Sequence, residues 1–141
     1  MHPNIDALGR WPLPGPEARK EKRLIVVRPE DRLPLIHGKN DHVLFDFIVS
    51  NDYFHIALME IPPGKFSEVE QHSGDEALYV LEGELEIRLS DPSSEQEGQA
   101  LFDSHHISEG EPCFIPEGTA HQYYNFTDKM IRAFVAVGPG L

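Results

Sequence analysis

Apolar residues in this chain fall in short runs with a two-residue period rather than at the three-to-four-residue spacing of an amphipathic helix. The clearest case is Leu85, Ile87 and Leu89, which share one face of an extended segment while Glu84, Glu86 and Arg88 share the other. Similar runs predict strands over 24–27, 42–49, 53–61, 77–81 and 85–89, then near 100–107 and 112–115, and over 121–125 and 130–137. Breakers separate them. Arg28-Pro29-Glu30-Asp31 and Ser50-Asn51-Asp52 read as turns, Pro62-Pro63-Gly64 ends a strand, and Glu82-Gly83-Glu84 reads as the turn of a hairpin. The polar stretch from Ser90 to Gln99 reads as an exposed loop longer than an ordinary hairpin connection. Residues 1–20 carry Pro3, Pro12, Pro14 and Pro16, which interrupt any helix, so they read as an arm anchored at most by Trp11 and Leu13. About nine to eleven short strands without a convincing helix suit an all-β closed or two-sheet barrel over residues 21–141, an architecture that removes exposed edges.

Composition adjusts this picture in three places. A chain of 141 residues is the usual size of one domain and can bury one core. Twelve basic against 24 acidic residues argue against nucleic acid or an anionic membrane as partner, because both need clustered positive charge. The single cysteine, Cys113, excludes an internal disulfide framework and fits a reducing compartment. With no run long enough to span a membrane and no apolar leader, cytoplasmic residence is the expectation.

Candidate chemistry concentrates in two stretches, 64–83 and 110–125. In extended chain Glu70 and His72 project together, and Glu76 returns to their face after the Ser73-Gly74-Asp75 bend, so one hairpin would supply three candidate ligands. His121 follows Pro116-Glu117-Gly118-Thr119, a turn able to reverse the chain and bring an imidazole to the same point. Imidazole nitrogen with carboxylate oxygen is the donor set for divalent manganese, iron, zinc, nickel or cobalt. His105 and His106 are adjacent, point to opposite faces, and are expected at the surface, while His37 and His55 lie outside both stretches.

These residues resemble the two motifs of the cupin superfamily. Gly64, His72, Glu76 and Gly83 match the first, with Glu70 in place of its first histidine; Gly110, Pro116, Gly118, His121 and Asn125 match the second throughout. The likeness runs roughly over residues 53–137 and is similar to that of small single-domain bacterial cupins. It implies an antiparallel double-stranded β-helix, or jelly roll, holding one buried divalent metal per chain, commonly manganese or iron. It also implies a homodimer, to which Trp11 and the strand at 24–27 would contribute.

The substitution at Glu70 leaves two geometries open. Either Glu70 joins His72, Glu76 and His121 in holding the ion, or those three form a two-histidine, one-carboxylate triad and Glu70 acts beside it as a general base. Barrel alternation places Tyr123 and Asn125 inward, with Phe54 or Ile56 and Met59 or Leu58 on the opposite wall of an apolar small-molecule pocket. No arginine or lysine is placed near the metal, so a neutral or singly charged substrate is expected. The expected activity is that of a metal-dependent enzyme on a small oxygenated molecule, with a non-heme iron dioxygenase ahead of an isomerase, lyase or decarboxylase. A non-catalytic binding module is the remaining alternative.

Overall fold

The computed structural model of the chain describes residues 6–37, 43–90 and 102–141. Among them nine strands form two antiparallel sheets, β1 Leu33–His37, β2 Val43–Ser50, β3 His55–Ile61, β4 Asp75–Glu82, β5 Leu85–Ser90, β6 Phe102–Ile107, β7 Pro112–Ile115, β8 Ala120–Tyr124 and β9 Ile131–Gly138. The larger sheet runs β1-β2-β3-β9-β4-β7 and the smaller β6-β5-β8. Their inner faces meet as a jelly-roll barrel. Alternation does the sorting: β4 buries Glu76, Leu78 and Val80 and exposes Asp75, Ala77 and Tyr79, while β9 buries Ile131, Ala133, Val135 and Val137.

The two sheets join in one core at one end of the barrel. Met59, Ile61, Leu78 and Val80 of the larger sheet pack there with Leu85, Ile87 and Tyr123 of the smaller. Each fully buried aliphatic side chain contributes about 1.5–3 kcal/mol. A smaller cluster of Leu33, Phe47 and Ala57 takes in Leu8 and Trp11 from the segment before the first helix. The other end of the barrel is left open as a cavity.

Four local expectations are corrected. A short helix, α1 Gly15–Glu21, forms inside the predicted arm; Pro16 stands in its first turn, where a missing N–H costs nothing. Trp11 does not fray, since its backbone exchanges two hydrogen bonds with Ser50 (2.8 and 2.9 Å) and its indole N–H donates to the Asp31 carbonyl at 3.0 Å. Residues 24–27 are not a strand; Leu24 is 81% exposed, and the first strand is β1, whose Pro34 is tolerated because β1 lies at the sheet edge.

The turn at Gly83 is not a hairpin, because β4 belongs to the larger sheet and β5 to the smaller. The chain turns a barrel corner there, with Gly83 at φ +92° and a would-be Cβ 3.0 Å from Ile131. The predicted loop from Ser90 to Gln99 lies, beyond Ser90, outside the described residues.

Candidate metal centre

Two irregular segments, one from each motif, are laced together by their backbones. After Pro62 and Pro63 end β3, the chain turns at Gly64 (φ +72°) and runs along β8. Phe66 pairs with Tyr124 and Glu70 with His121, the latter through two backbone bonds of 2.8 and 2.9 Å. Directly opposed residues of an antiparallel pair present side chains to the same face, so Glu70 and His121 come together across strands. The expected hairpin carrying Glu70, His72 and Glu76 is therefore replaced: Glu70 pairs with β8, and Glu76 opens β4 in the other sheet. His72 sits between, where its carbonyl accepts from Gly118 N–H at 2.9 Å and the Gln71 amide donates to the Gly118 carbonyl at 2.7 Å. Gly118, at φ +74°, supplies the turn the sequence indicated.

The result is one cluster. Glu70, His72, Glu76 and His121 each offer a ligand atom, all within 4.8 Å of one another. His72 Nε2 lies 3.0 Å and His121 Nε2 3.4 Å from Glu76 Oε1, and His121 Nε2 lies 3.7 Å from Glu70 Oε2. Both imidazoles are held by their other nitrogen: His72 Nδ1 donates to the Gly74 carbonyl (2.9 Å) and His121 Nδ1 to the Thr119 carbonyl (2.8 Å). Backbone acceptors of this kind fix the tautomer and turn the Nε2 lone pairs inward.

Two nitrogen lone pairs and two carboxylates then face one another, Glu76 and His121 buried and Glu70 and His72 part-buried at the cavity. Such a set repels itself unless a proton or a cation stands between.

The titration behaviour of the groups follows from that geometry. Burial pushes the Glu76 carboxyl up, but hydrogen bonds from His121, His72 and Tyr123 outweigh it and bring it down to about 2. The Glu76 carboxylate raises His72. Burial alone would lower His121, yet Glu76 and the Thr119 carbonyl turn the balance upward. Glu70 is raised, chiefly by burial, with His37 opposing. The Tyr123 hydroxyl donates to Glu76 Oε2 and lies 3.2 Å from His121 Nε2, and burial holds it well above the phenolic range. Cys113 is pushed up to about 11 by burial, as an inert packing thiol.

Glu70, His72 and Glu76 border a cavity of about 430 Å³ that fills the open end of the barrel. The substrate-contact candidates fare differently. Tyr123 is buried behind Glu76 and His121 rather than in the cavity wall. Asn125 is buried too, but its amide donates to the carbonyls of Ile61 and Lys129 and its oxygen accepts from Thr127, which makes it a brace for the β8–β9 connection.

Phe54 and Ile56 do not reach the cavity, because β3 turns its odd-numbered residues inward and His55 and Ala57 supply that wall. Met59 has the right parity but sits in the packed end of the barrel. His37 was missed. It ends β1 with Nε2 3.1 Å from Glu70 Oε1, shielded from water and not aligned for a hydrogen bond, and only the sheet register carries it there.

The comparisons with known proteins agree with this fold. The model of the Cupin domain family matches residues 57–137, more than half of the chain. Among solved structures, a Fe(II)-HppE complex with an alternative substrate superposes with TM-score 0.63 at 19% identity, covering 82% of this chain and 60% of that one. The chain thus spans about three fifths of that protein. A predicted oxalate decarboxylase from Thermotoga maritima superposes with TM-score 0.61 at 22% identity, covering 82% and 99%. A cupin-2 domain protein from Rhodospirillum rubrum gives TM-score 0.62 at 15% identity, covering 81% and 74%. At these identities the likeness is one of fold. The comparison with curated protein sequences found no match.

Proposed function

The chain belongs to the cupin family, and from that premise we propose that it is a mononuclear metal-dependent enzyme acting on a small oxygenated organic molecule. The observation that carries the proposal is the convergence of Glu70, His72, Glu76 and His121 at one end of a cavity large enough for a substrate. Nitrogen and oxygen donors of this kind suit iron or manganese, with nickel, zinc or cobalt also compatible. Bound there, a divalent ion would polarise an oxygen of the substrate and, as iron(II), provide a site for dioxygen.

The residues around it have separable tasks. Glu76, with both histidines and Tyr123 donating to or facing it, is the fixed carboxylate of the set. Glu70 is the adaptable one: it sits at the cavity, its carboxyl raised by burial, between His37 and His121. It can complete the ligand set or take a proton from a substrate bound beside it.

We favour a non-heme iron dioxygenase. A Fe(II)-bearing protein among the similar structures supports that choice. The alternative is Lewis-acid chemistry by an isomerase, lyase or decarboxylase, favoured by a largely buried Glu70 at the cavity poised as a base. Oxygen uptake by the iron-loaded protein against catechols, 1,3-diketones and hydroxy acids tests the first. Turnover of the same panel under nitrogen would instead establish the second.

We propose further that two copies pair through the outer face of the larger sheet. There Tyr79 and Phe134 are cross-strand partners, with Phe114 nearby, leaving aromatic surface uncovered on adjacent strands. Sedimentation equilibrium should return twice the chain mass, and Phe134→Glu should return it to one.

A further inference from the structure

The cavity is chemically two-ended. Every polar side chain that lines it and remains able to engage a ligand belongs to or adjoins the metal cluster: His37, Glu70, Gln71, His72 and Glu76. The rest of the wall is apolar, with Phe45, Phe47, Val135 and Val137 from the strands and Leu8 and Leu141 from the segments before α1 and after β9. His55 is the one apparent exception. Its Nδ1 lies 2.7 Å from Ser50 Oγ and its Nε2 3.1 Å from the Pro139 carbonyl, so both ring nitrogens are already engaged. No lysine or arginine is among the described lining residues.

The far wall is also tied in place. The Gly9 N–H donates to Ser50 Oγ at 2.8 Å. The Ser50 hydroxyl and the His55 ring then carry the chain of hydrogen bonds on to Pro139. One continuous connection therefore holds the segment bearing Leu8, before α1, against the segment bearing Leu141, after β9. Two separate stretches of sequence are fastened there, the later of them also packed on Ser73 and Gly74 beside His72.

We infer that the substrate is a neutral or singly charged molecule with two faces: a chelating pair of oxygens for the metal end and a hydrophobic body, linear or aromatic, that fills the apolar part of the cavity lined by Phe45, Phe47, Val135 and Leu8. A body of about six to ten carbons suits a cavity near the lower end of the size range of small-molecule sites. A compact dianion such as oxalate fits less well on the same grounds, since it would leave the apolar wall wet and meet no cationic side chain among the described lining residues. Leu8, packed with Phe47 and Ala57 on the apolar wall, then limits how long a body is accepted. This rests on the metal-enzyme reading above for its oxygen-binding end and adds the identity of the other end.

Hydroxamic acids provide the probe, because one chelating head can carry tails of any length. The cobalt-loaded full chain is titrated with aceto-, butano-, hexano- and octanohydroxamate and with oxalate, following heat and the cobalt visible spectrum. Affinity should rise about fourfold per added methylene until the cavity is full, and oxalate should bind no more tightly than acetohydroxamate. Leu8→Ala should weaken octanohydroxamate about tenfold more than acetohydroxamate. Cobalt uptake with an affinity flat in tail length, or with oxalate the tightest ligand, overturns this inference and leaves the metal reading standing. A protein that takes up no cobalt overturns both.

Discussion

At the scale of single residues, the centre is organised by what each side chain does with its second polar atom. His72 and His121 give Nδ1–H to backbone carbonyls, so Nε2 is the only nitrogen either can offer inward. Glu76 is gripped from three directions, and its low carboxyl value reports that grip. Replacing His121 by Ala should abolish stoichiometric metal, read by elemental analysis, with the fold retained by circular dichroism. Glu70→Gln tests the open ligand: a fall in iron affinity marks Glu70 as a ligand, and unchanged affinity with lost turnover marks it as the base. His37 contacts the far oxygen of Glu70, so His37→Phe should loosen that carboxylate and weaken metal binding by about 10–100-fold, the usual effect of removing a ligand's supporting partner. Chelator competition would measure it, and an unchanged constant would remove His37 from the site.

At the scale of elements, the decisive features are corners and ties rather than strands. Gly83 turns the chain from one sheet to the other at positive φ beneath Ile131, so Gly83→Ala should cost about 1–3 kcal/mol in urea unfolding through strain and overpacking. Ser50→Ala leaves the Gly9 N–H and His55 Nδ1 without their partner, and should cost a comparable 1–3 kcal/mol or so.

The strands themselves were largely legible, because 43–50, 75–82, 85–90 and 131–138 hold short apolar runs bounded by breakers, and in β5 Glu86 and Arg88 alternate with Leu85, Ile87 and Leu89. Legibility failed where that contrast disappears. In β3 both faces are apolar, since Leu58 on the outer face is as buried as Met59 on the inner, so the inward set of His55 and Ala57 could not be chosen from sequence. Pro34 disguised an edge strand, and the apolar run at 24–27 had no neighbour to pair with.

At the scale of the whole molecule, the barrel keeps its core at one end and its chemistry at the other, and the metal-ligand candidates come from segments 70–76 and 121 fastened by backbone bonds. Motif spacing made those four residues legible, because it encodes turns. His37 and Leu8 were not, because only long-range register and the packing of 6–11 bring them in.

The acid limb of stability is set here as well. Glu76 ionises at about 2 when folded against 4.5 ordinarily. Its contribution is full above 4.5 and is lost as pH falls toward 2, on the order of 3 kcal/mol for the metal-free protein at about 1.4 kcal/mol per unit. Glu70, raised by burial, works in the opposite sense and softens the loss. Glu76→Gln should flatten this limb in acid titrations followed by near-ultraviolet circular dichroism.

One measurement bears most directly on the central claim: elemental analysis of protein purified without oxygen or chelators, alongside a variant carrying both His72→Ala and His121→Ala. Close to one equivalent of a transition metal in the parent and none in the variant is the expected result. Metal-free parent protein that also fails to take up iron, manganese or cobalt on dialysis, or equal metal in both proteins, would contradict it.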